Sequence, residues 1–476
     1  MAQERILGPY ERFSLARSLV GVAPVVAFTA LLPSSHPPVE SAQVAQAVTE
    51  LLARHPLLSC SVAGATTAQP RFRRHKVRPE DVLVESAETG RVVDEALLDA
   101  LEAVKDAGVE QAPLWRVWLS GSDQQGRRRL TVAVHHVLSD GSSTRNLFAE
   151  LLSLVRAPVP SSEKKTGEAL SLAPTLEATV DVRPSTLSLV KVLFSEFVAP
   201  RLPSLFCPSP PTVFPNPPIV PPYLQQTALK HLALSPAAVA RLKACARAHG
   251  IATLHPVLYI AALAALSNAA PPGTAIHGES PISLRDPAVG HPSIGGNYVC
   301  SLSTTHGAPD PRAPFWQSCA AYAARLADPD ERAGAKGGMG MLAYVPDGPV
   351  EDEDGQQRTR FNMWMEEKLE AAEPWSASFE VSNLGVLPVT GWEGDGEEDA
   401  LGEVYWAQAG MALGPALAIN PVAVRNGSLA ITLTYRGGSI DENTATAVWQ
   451  AYERVLRRLA GEEGVAQDLT FEELAK

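Results

Sequence analysis

The sequence predicts a mixed α/β protein with two lobes, on the basis of three observations. The chain has 476 residues, of which 45% are hydrophobic, and it is long enough to fill more than one core. Segments with helical spacing alternate with strand-like segments in both halves. A proline-rich stretch, PSPPTVFPNPPIVPP, can form neither a helix nor a central strand and divides the halves. We expect an N-terminal lobe at residues 1–157, a crossing segment at 158–223 and a C-terminal lobe at 224–476.

The first half alternates strands and helices. The apolar run from Leu19 to Leu32 contains Gly21 and Pro24 and is too short for a membrane span, so we interpret it as a long core strand. A helix is predicted at SAQVAQAVTELLARHPLL, because its apolar residues fall on one stripe and a proline follows. SCSVAG and VLVES have the composition of strands, DEALLDALEAVKDAG is an amphipathic helix, and the turn SDQQG predicts a hairpin.

The second half has the same mixture of elements. A helix with Ser235 as its N-cap and Pro236 at its first position is predicted to end at Gly250, and an apolar helix follows it. The last predicted helix is ENTATAVWQAYERVLRRLAG. Strands are predicted at IHGESPISL, YVCSLST, ASFEVSN, VYWAQAG and LAITLTYRG.

Composition excludes several classes of protein. The net charge of -12 argues against a nucleic acid as the main partner, because phosphate binding needs clustered Lys and Arg. Five scattered cysteines without a CxxC pair indicate neither a zinc knuckle nor a disulfide framework, and they fit a reducing compartment. The start, MAQERILGPYERF, is charged and lacks the apolar core of a signal peptide. We expect a cytoplasmic, monomeric protein.

The segment STLSLVKVLFSEFVAPRL leaves two interpretations open. It could form an amphipathic helix that lies peripherally on a lipid surface, such as a lipid droplet or the endoplasmic reticulum. It could instead be a helix packed on its own protein, since only Lys191, Glu196 and Arg201 supply charge.

The segment HHVLSDG at residues 135–141 carries the most chemical information. It follows the strand-like RRLTVAV and precedes the helix-like SSTRNLFAELLSLV. Alternation along a strand points His135 and His136 to opposite faces, and His136 is the one separated by three residues from Asp140. A neutral imidazole there can take a proton from a hydroxyl or amine and return it to a thiolate. Asp140 could cap the helix or pair with a distant arginine, and Gly141 permits close backbone approach.

Other chemistries have weaker support in the sequence. Adjacent histidines and a carboxylate could bind a metal, but the histidines face apart and no HExxH motif accompanies them, so we expect no metal. A GxSxG elbow, a Walker loop and a GxGxxG turn after a strand are absent from the sequence.

HHVLSDG resembles the HHxxxDG active-site motif of the chloramphenicol acetyltransferase-like superfamily. This superfamily includes peptide-synthetase condensation domains, plant BAHD acyltransferases and fungal alcohol O-acetyltransferases. The chain most resembles the fungal group, because LGPYERFSLARSLVG, HPLLSCSV, PISLRDP, SNLGV and RNGSLAITLTYRGG occur in the expected order. The resemblance spans nearly the whole chain. The DFGWG motif of the plant branch is absent.

The resemblance implies two similar α/β lobes with an active-site tunnel between them. Acyl-CoA would enter from one face and the acceptor from the other. His136 matches the family's catalytic base, and Asp140 matches a motif residue that usually pairs with an arginine of the second lobe, here Arg285. Gly141 and Asn383 would lie at the substrate, although Asn383 could also be only a turn residue. No bound cofactor is implied, because acetyl-CoA or another acyl-CoA is a co-substrate.

These features predict an acyl-CoA-dependent O-acyltransferase, first of all an acetyl-CoA:alcohol acetyltransferase. The histidine would act as general base for direct transfer to the hydroxyl of a small alcohol. One alternative is a condensation-like acyltransferase that uses an amine acceptor or a carrier-bound donor. Another is a non-catalytic protein that retains the fold.

Overall fold

The computed structural model describes most of both halves of the chain. The described residues are 3–34, 39–111, 113–156, 171–194, 198, 213–215, 226–351, 357–370, 375–392, 401–461 and 469–475. Most of the predicted crossing segment at 158–223 lies outside these ranges.

The strands in chain order are β1 (Glu4–Ile6), β2 (Val25–Leu32), β3 (Cys60–Ala63), β4 (Arg71–Arg74), β5 (Leu83–Glu85), β6 (Trp115–Leu119), β7 (Arg128–His135), β8 (Thr227–Leu234), β9 (Ile276–Ser283), β10 (Val299–His306), β11 (Pro349–Glu351), β12 (Gln357–Thr359), β13 (Ala377–Val381), β14 (Val404–Gln408), β15 (Pro415–Ala423) and β16 (Leu429–Arg436). The helices are α1 (Pro9–Leu19), α2 (Ser41–Arg54), α3 (Val93–Asp106), α4 (Gly141–Arg156), α5 (Leu176–Thr179), α6 (Thr186–Leu193), α7 (Pro236–Ala248), α8 (His255–Ser267), α9 (Phe315–Ala327), α10 (Pro329–Gly340), α11 (Arg360–Leu369), α12 (Glu442–Leu459) and α13 (Phe471–Ala475). The predicted mixed α/β class is confirmed.

The first large sheet has the order β14-β2-β7-β6-β5 within the described ranges. Its centre is the antiparallel pair of β2 and β7, in which Val25 lies opposite His135. Both strands are apolar on both faces, as expected when helices cover a sheet on two sides. Helix α3 packs on the face that contains Val25 and Ala27, and helices α2 and α4 pack on the opposite face.

Strand β14 belongs to the second half of the sequence but completes the first sheet. It pairs antiparallel with β2, and Gln408 lies opposite Val26. The pairing gives hydrogen-bond partners to the backbone groups at the edge of β2. Strand β14 itself is buried along its length. Residues 404–408, which fall within the predicted C-terminal lobe at 224–476, therefore lie in the first large sheet.

The second large sheet has the order β10-β9-β13-β15-β16-β8 in the described part of the chain. Strands β9, β13 and β15 are parallel neighbours at its centre, and the outer pairings are antiparallel. Helices α8, α9 and α12 share a core with this sheet. The sequence of α8 is apolar around its whole circumference, and its residues from Pro256 to Leu266 are buried.

The predicted long strand from Leu19 to Leu32 is wrong for its first six residues, Leu19 to Pro24. Helix α1 extends to Leu19, a turn follows at Gly21, and β2 begins at Val25, directly after Pro24. The apolar residues continue across this boundary because the end of the helix and the strand are both buried, so hydrophobicity alone does not mark it.

Candidate active site

The HHVLSDG segment lies where the first sheet meets the second lobe. Strand β7 ends at His135, a turn contains His136, and helix α4 begins at Gly141. The turn is held against the second lobe by a bridge between Ser139 and Gly296. The site therefore depends on contact between the lobes.

His135 faces away from the cavity and is engaged on both ring nitrogens. Its Nε2 lies 2.9 Å from the hydroxyl of Ser18, and its Nδ1 accepts from the backbone N–H of Val137 at 3.1 Å. Burial lowers the pKa of His135 to about 3, so the ring is neutral at neutral pH. These bonds indicate a structural role for His135.

His136 lines a cavity of about 660 Å³ between the lobes. Its backbone N–H donates to the carbonyl of Pro24 at 2.9 Å, which fixes the turn after β7. Desolvation lowers the pKa of His136, the charge of Asp140 opposes this change, and the charge of Arg17 adds to it. The imidazole is therefore neutral at neutral pH and able to accept a proton.

Asp140 is a buried junction between the lobes. Its Oδ2 forms an ion pair with Arg285 at 2.9 Å and accepts from the backbone N–H of Tyr298 at 2.8 Å. Its Oδ1 accepts from the N–H of Ser143 at 2.7 Å, as a helix N-cap does. The structure thus brings together Asp140 and Arg285, and both side chains are less than a tenth exposed.

Gly141 and Asn383 both line the cavity. A Cβ on Gly141 would lie 3.3 Å from a methyl carbon of Leu384, so the glycine allows α4 to approach the second lobe. The Oδ1 of Asn383 accepts from the N–H of Gly385 at 2.9 Å, which is a turn contact. Asn383 therefore lies in a turn and also lines the cavity, which are the two positions considered from the sequence.

The cavity also contains charged side chains that the sequence did not single out: Arg17, Arg145, Glu279 and Glu380. The Nη2 of Arg17 contacts the sulfur of Met411 at 2.8 Å, and its Nε has no hydrogen-bond partner among the described residues. Burial lowers the pKa of Arg17 to about 10, so the guanidinium stays charged at neutral pH.

Glu380 accepts from the amide of Gln408 at 2.8 Å, and Glu279 makes long hydrogen bonds to Ser303 and Ser376 at 3.4 and 3.5 Å. Desolvation and the neighbouring Glu279 raise the pKa of Glu380 to about 7. One sequence signal was present, since Glu380 is a charge within the apolar strand segment ASFEV.

Within the described ranges, no group of three His, Cys, Asp or Glu side chains is arranged to hold a metal ion. No helix in the part of the chain that is described has the length and apolar character needed to span a membrane.

Comparisons with known proteins agree with this geometry. Residues 67–271, which include HHVLSDG, match the alcohol acetyltransferase family model. No curated protein matches the chain by sequence.

Solved structures match over nearly the whole chain. TRI3 trichothecene 15-O-acetyltransferase from Fusarium sporotrichioides is 11% identical with a TM-score of 0.66, and the match covers 96% of this chain and 94% of that chain. Polyketide synthase associated protein 5 from Mycobacterium tuberculosis is 15% identical with a TM-score of 0.61, covering 98% and 100%. The epimerization domain from the third module of tyrocidine synthetase B is 14% identical with a TM-score of 0.61, covering 97% and 96%.

At these identities the structures establish the fold, which is the two-lobed fold of condensation-type and chloramphenicol acetyltransferase-like proteins. The family match covers less than half of the chain but includes the motif and the first sheet's central hairpin. Residues 67–271 therefore resemble the alcohol acetyltransferase family, and the whole chain has the fold of the TRI3 acetyltransferase and of the tyrocidine synthetase epimerization domain.

Proposed function

We propose that this protein transfers an acyl group, acetyl in the first instance, from acyl-CoA to the hydroxyl of a small alcohol. The observation that carries the proposal is the position of His136, a neutral, half-buried imidazole on the wall of a cavity of about 660 Å³ between the lobes. A cavity of this size can admit two reacting groups together, so no acyl-enzyme is required.

In the proposed step, His136 carries the one proton that moves from the acceptor hydroxyl to the thiolate. Neutral His136 takes the proton of the acceptor hydroxyl as its oxygen attacks the thioester carbonyl carbon. The tetrahedral intermediate then collapses, the carbon–sulfur bond breaks, and the imidazolium returns the proton to the thiolate. The products are the ester and free CoA.

Two positive features would stabilise the negative oxygen of the intermediate. The first N–H groups of α4, those of Gly141 and Ser142, have no intrahelical acceptor and lie at the cavity. The buried guanidinium of Arg17 adds a positive charge on the same cavity. Asp140 holds the motif turn in place, and Asn383 is proposed to contact the substrate from the opposite wall.

An amine acceptor is the second candidate, and the acidic side chains favour it. Glu279 and Glu380 face the same cavity as His136, and a cationic amine would neutralise the charge that they carry when ionised. If the acyl donor were bound to a carrier protein instead of CoA, the same histidine would act as the base. A non-catalytic protein with this fold would release no CoA with any acceptor.

The experiment is a matrix of acyl-CoA chain lengths against alcohols and amines, read by a thiol-reactive dye. The proposal expects CoA release that depends on an alcohol and is largest with acetyl-CoA. Release that depends only on amines would favour the second candidate. A complete absence of acceptor-dependent release across the matrix would contradict acyl transfer from CoA.

We also propose a cytoplasmic monomer with peripheral contact to a lipid surface through α6. The side chains of Leu187 and Val190 on this helix are 65% and 56% exposed, and none of the described α6 residues is buried. Flotation with phosphatidylcholine vesicles tests this contact, with a Leu187→Ser, Val190→Ser variant as the control. Equal flotation of the two proteins would contradict it.

A further inference from the structure

Among the described residues, several buried polar atoms near the cavity have no hydrogen-bond partner, and two of these atoms are Nδ1 of His136 and Oδ1 of Asn297. Asn297 is 2% exposed, so water does not reach it easily. Buried polar atoms without partners are costly, and such atoms are rare in folded proteins. An amide oxygen can only accept, whereas one ring nitrogen of a neutral histidine donates, so these atoms are complementary.

The orientation of the Asn297 amide is fixed by its other end. Its Nδ2 donates to the carbonyl of Val137 at 3.1 Å. Because that carbonyl can only accept, the NH₂ group must face it, and Oδ1 must point away. The Asn297 side chain also acts to raise the pKa of His136, so the two side chains are neighbours. The histidine's own carbonyl acts in the same direction and is the competing acceptor.

Hydrogen bonds before and after Asn297 hold its segment against the HHVLSDG motif and the first turn of α4. Three hydrogen bonds hold it: Gly296 N–H to the Leu138 carbonyl at 2.8 Å, Tyr298 N–H to Asp140 Oδ2 at 2.8 Å, and Gly295 N–H to Ser143 Oγ at 2.6 Å. Gly295 and Gly296 have φ of 86° and 79°, values that side-chain-bearing residues rarely adopt. The turn therefore delivers Asn297 to a fixed place beside His136.

We propose that Asn297 is a positioning residue for His136, whose Nδ1–H donates to Asn297 Oδ1. This bond fixes the tautomer in which Nε2 carries the lone pair that takes the proton of the acceptor. The catalytic consequence rests on the proposed function. Asp140 then acts on His136 indirectly, through Asn297. The carboxylate of Asp140 accepts a hydrogen bond from the backbone N–H of Tyr298, which is the residue after Asn297.

Other titratable and charged groups also face the site. They are Tyr10 and Arg17 from α1, Asp140 from the motif, Arg145 from α4, Glu279 and Arg285 from β9 and the residues after it, Cys300 from β10 and Glu380 from β13, and His135 precedes His136 in the chain. A test of Asn297 must therefore change its acceptor without changing these groups.

Two substitutions distinguish the role of the Asn297 amide oxygen, which accepts a hydrogen bond, from that of its NH₂ group, which donates one. Asn297→Leu and Asn297→Asp both remove the bond to Val137, but only Asp keeps an oxygen that can accept from His136. We expect Asn297→Leu to lower kcat by about 10- to 100-fold with a smaller change in KM, and Asn297→Asp to retain more activity.

The two variants should shift the acid limb of the pH profile of kcat/KM in opposite directions. Activity is lost as pH falls through the pKa of the base, because the imidazole becomes protonated. Losing the acceptor in Asn297→Leu lowers that pKa, so the acid limb of kcat/KM moves to lower pH. A carboxylate in Asn297→Asp raises it, so the limb moves to higher pH.

Asn268→Asp is the matched control, because Asn268 Nδ2 donates to the Ala264 carbonyl at 2.8 Å at the end of α8, away from the cavity. It should leave kcat and the acid limb unchanged. Equal losses in the two Asn297 variants with an unmoved acid limb would reduce Asn297 to a structural residue and overturn the proposal.

A second readout does not need activity. The ring carbon-13 shifts of His136, assigned by their loss in His136→Gln, report which nitrogen carries the proton. We expect the Nδ1–H tautomer in the wild type and a mixture in Asn297→Leu. The same tautomer in both proteins would overturn the proposal, whereas a wild type that releases no CoA would contradict only the proposed function.

Discussion

Burial controls the protonation of individual side chains in the cavity. Removal from water disfavours the charged form, so it lowers the pKa of His136 and raises the pKa of Glu380 to about 7. The consequences for function and stability differ. A neutral His136 is available as a base, whereas ionised Glu380 is a charge that the folded protein accommodates poorly.

Glu380→Gln should stabilise the protein at alkaline pH. The pKa of Glu380 rises from 4.5 to about 7 on folding, so the folded state holds this proton more tightly than the unfolded state. The free energy of unfolding then falls as pH rises through this window, by up to about 3 kcal/mol from this group. Urea unfolding should show the variant more stable than wild type at about pH 8 and little changed at about pH 5.

Glu367→Gln, on an exposed position of α11, is the control and should show no such pH-dependent difference. A Glu380→Gln variant with the same offset from wild type at both pH values would contradict a raised pKa at this site.

Breaking the pair of Asp140 and Arg285 should lower stability and activity together. Arg285→Met leaves a buried carboxylate without its counter-ion, a change that costs about 3–5 kcal/mol in comparable buried pairs. Denaturant unfolding and CoA release measure the two effects. Arg457→Met, which breaks an exposed pair with Glu453, should cost less than about 1 kcal/mol. A fully stable but inactive Asp140→Ala variant would instead favour a direct chemical role for Asp140.

The residues of the site differ in how far the sequence could predict them. His136, Asp140 and Gly141 are contiguous, so local spacing locates them. Arg285 required the family resemblance, because its partner lies far away in the chain. Asn297 and Arg17 left no comparable signal, since their roles arise only when the turn at 295–298 and helix α1 close on the cavity.

At the scale of elements, Gly410 is where the first sheet contacts the second. It follows β14, and a Cβ there would lie 2.5–2.6 Å from backbone atoms of Tyr435 and Arg436, at the end of β16. Gly410→Ala should therefore destabilise the protein by about 1–3 kcal/mol, because backbone cannot move aside as a flexible side chain can. Thermal unfolding is the measurement.

Gly307→Ala is the matched control, since no atom lies within 4 Å of a Cβ built there. It should leave the unfolding temperature nearly unchanged. A Gly410→Ala variant as stable as this control would contradict the close approach of β14 and β16.

Element types were predicted well from periodicity, but partners were not. The strand VYWAQAG was expected and occurs as β14, yet nothing in its composition reveals that it joins β2 of the other lobe. Strand β15 was not predicted, because PALAINPVA contains two prolines and lacks alternation. Its burial in the centre of the second sheet stabilises it despite this composition.

At the scale of the whole molecule, the crossing of β14 and the motif contacts should join the lobes into one cooperative unit. The sequence alone suggested separate lobes at 1–157 and 224–476, a division that remains a prediction. We expect calorimetry to show one transition that coincides with the loss of far-UV circular dichroism. Two resolved transitions would indicate that the lobes unfold independently.

The central claim, that His136 is the base for acyl transfer, is tested most directly by CoA release from His136→Ala with an acceptor that the wild type uses. The prediction is a fall of at least about 100-fold in kcat with the folded structure retained, because general-base catalysis contributes on that order. Turnover at the wild-type rate in a folded His136→Ala protein would contradict the claim.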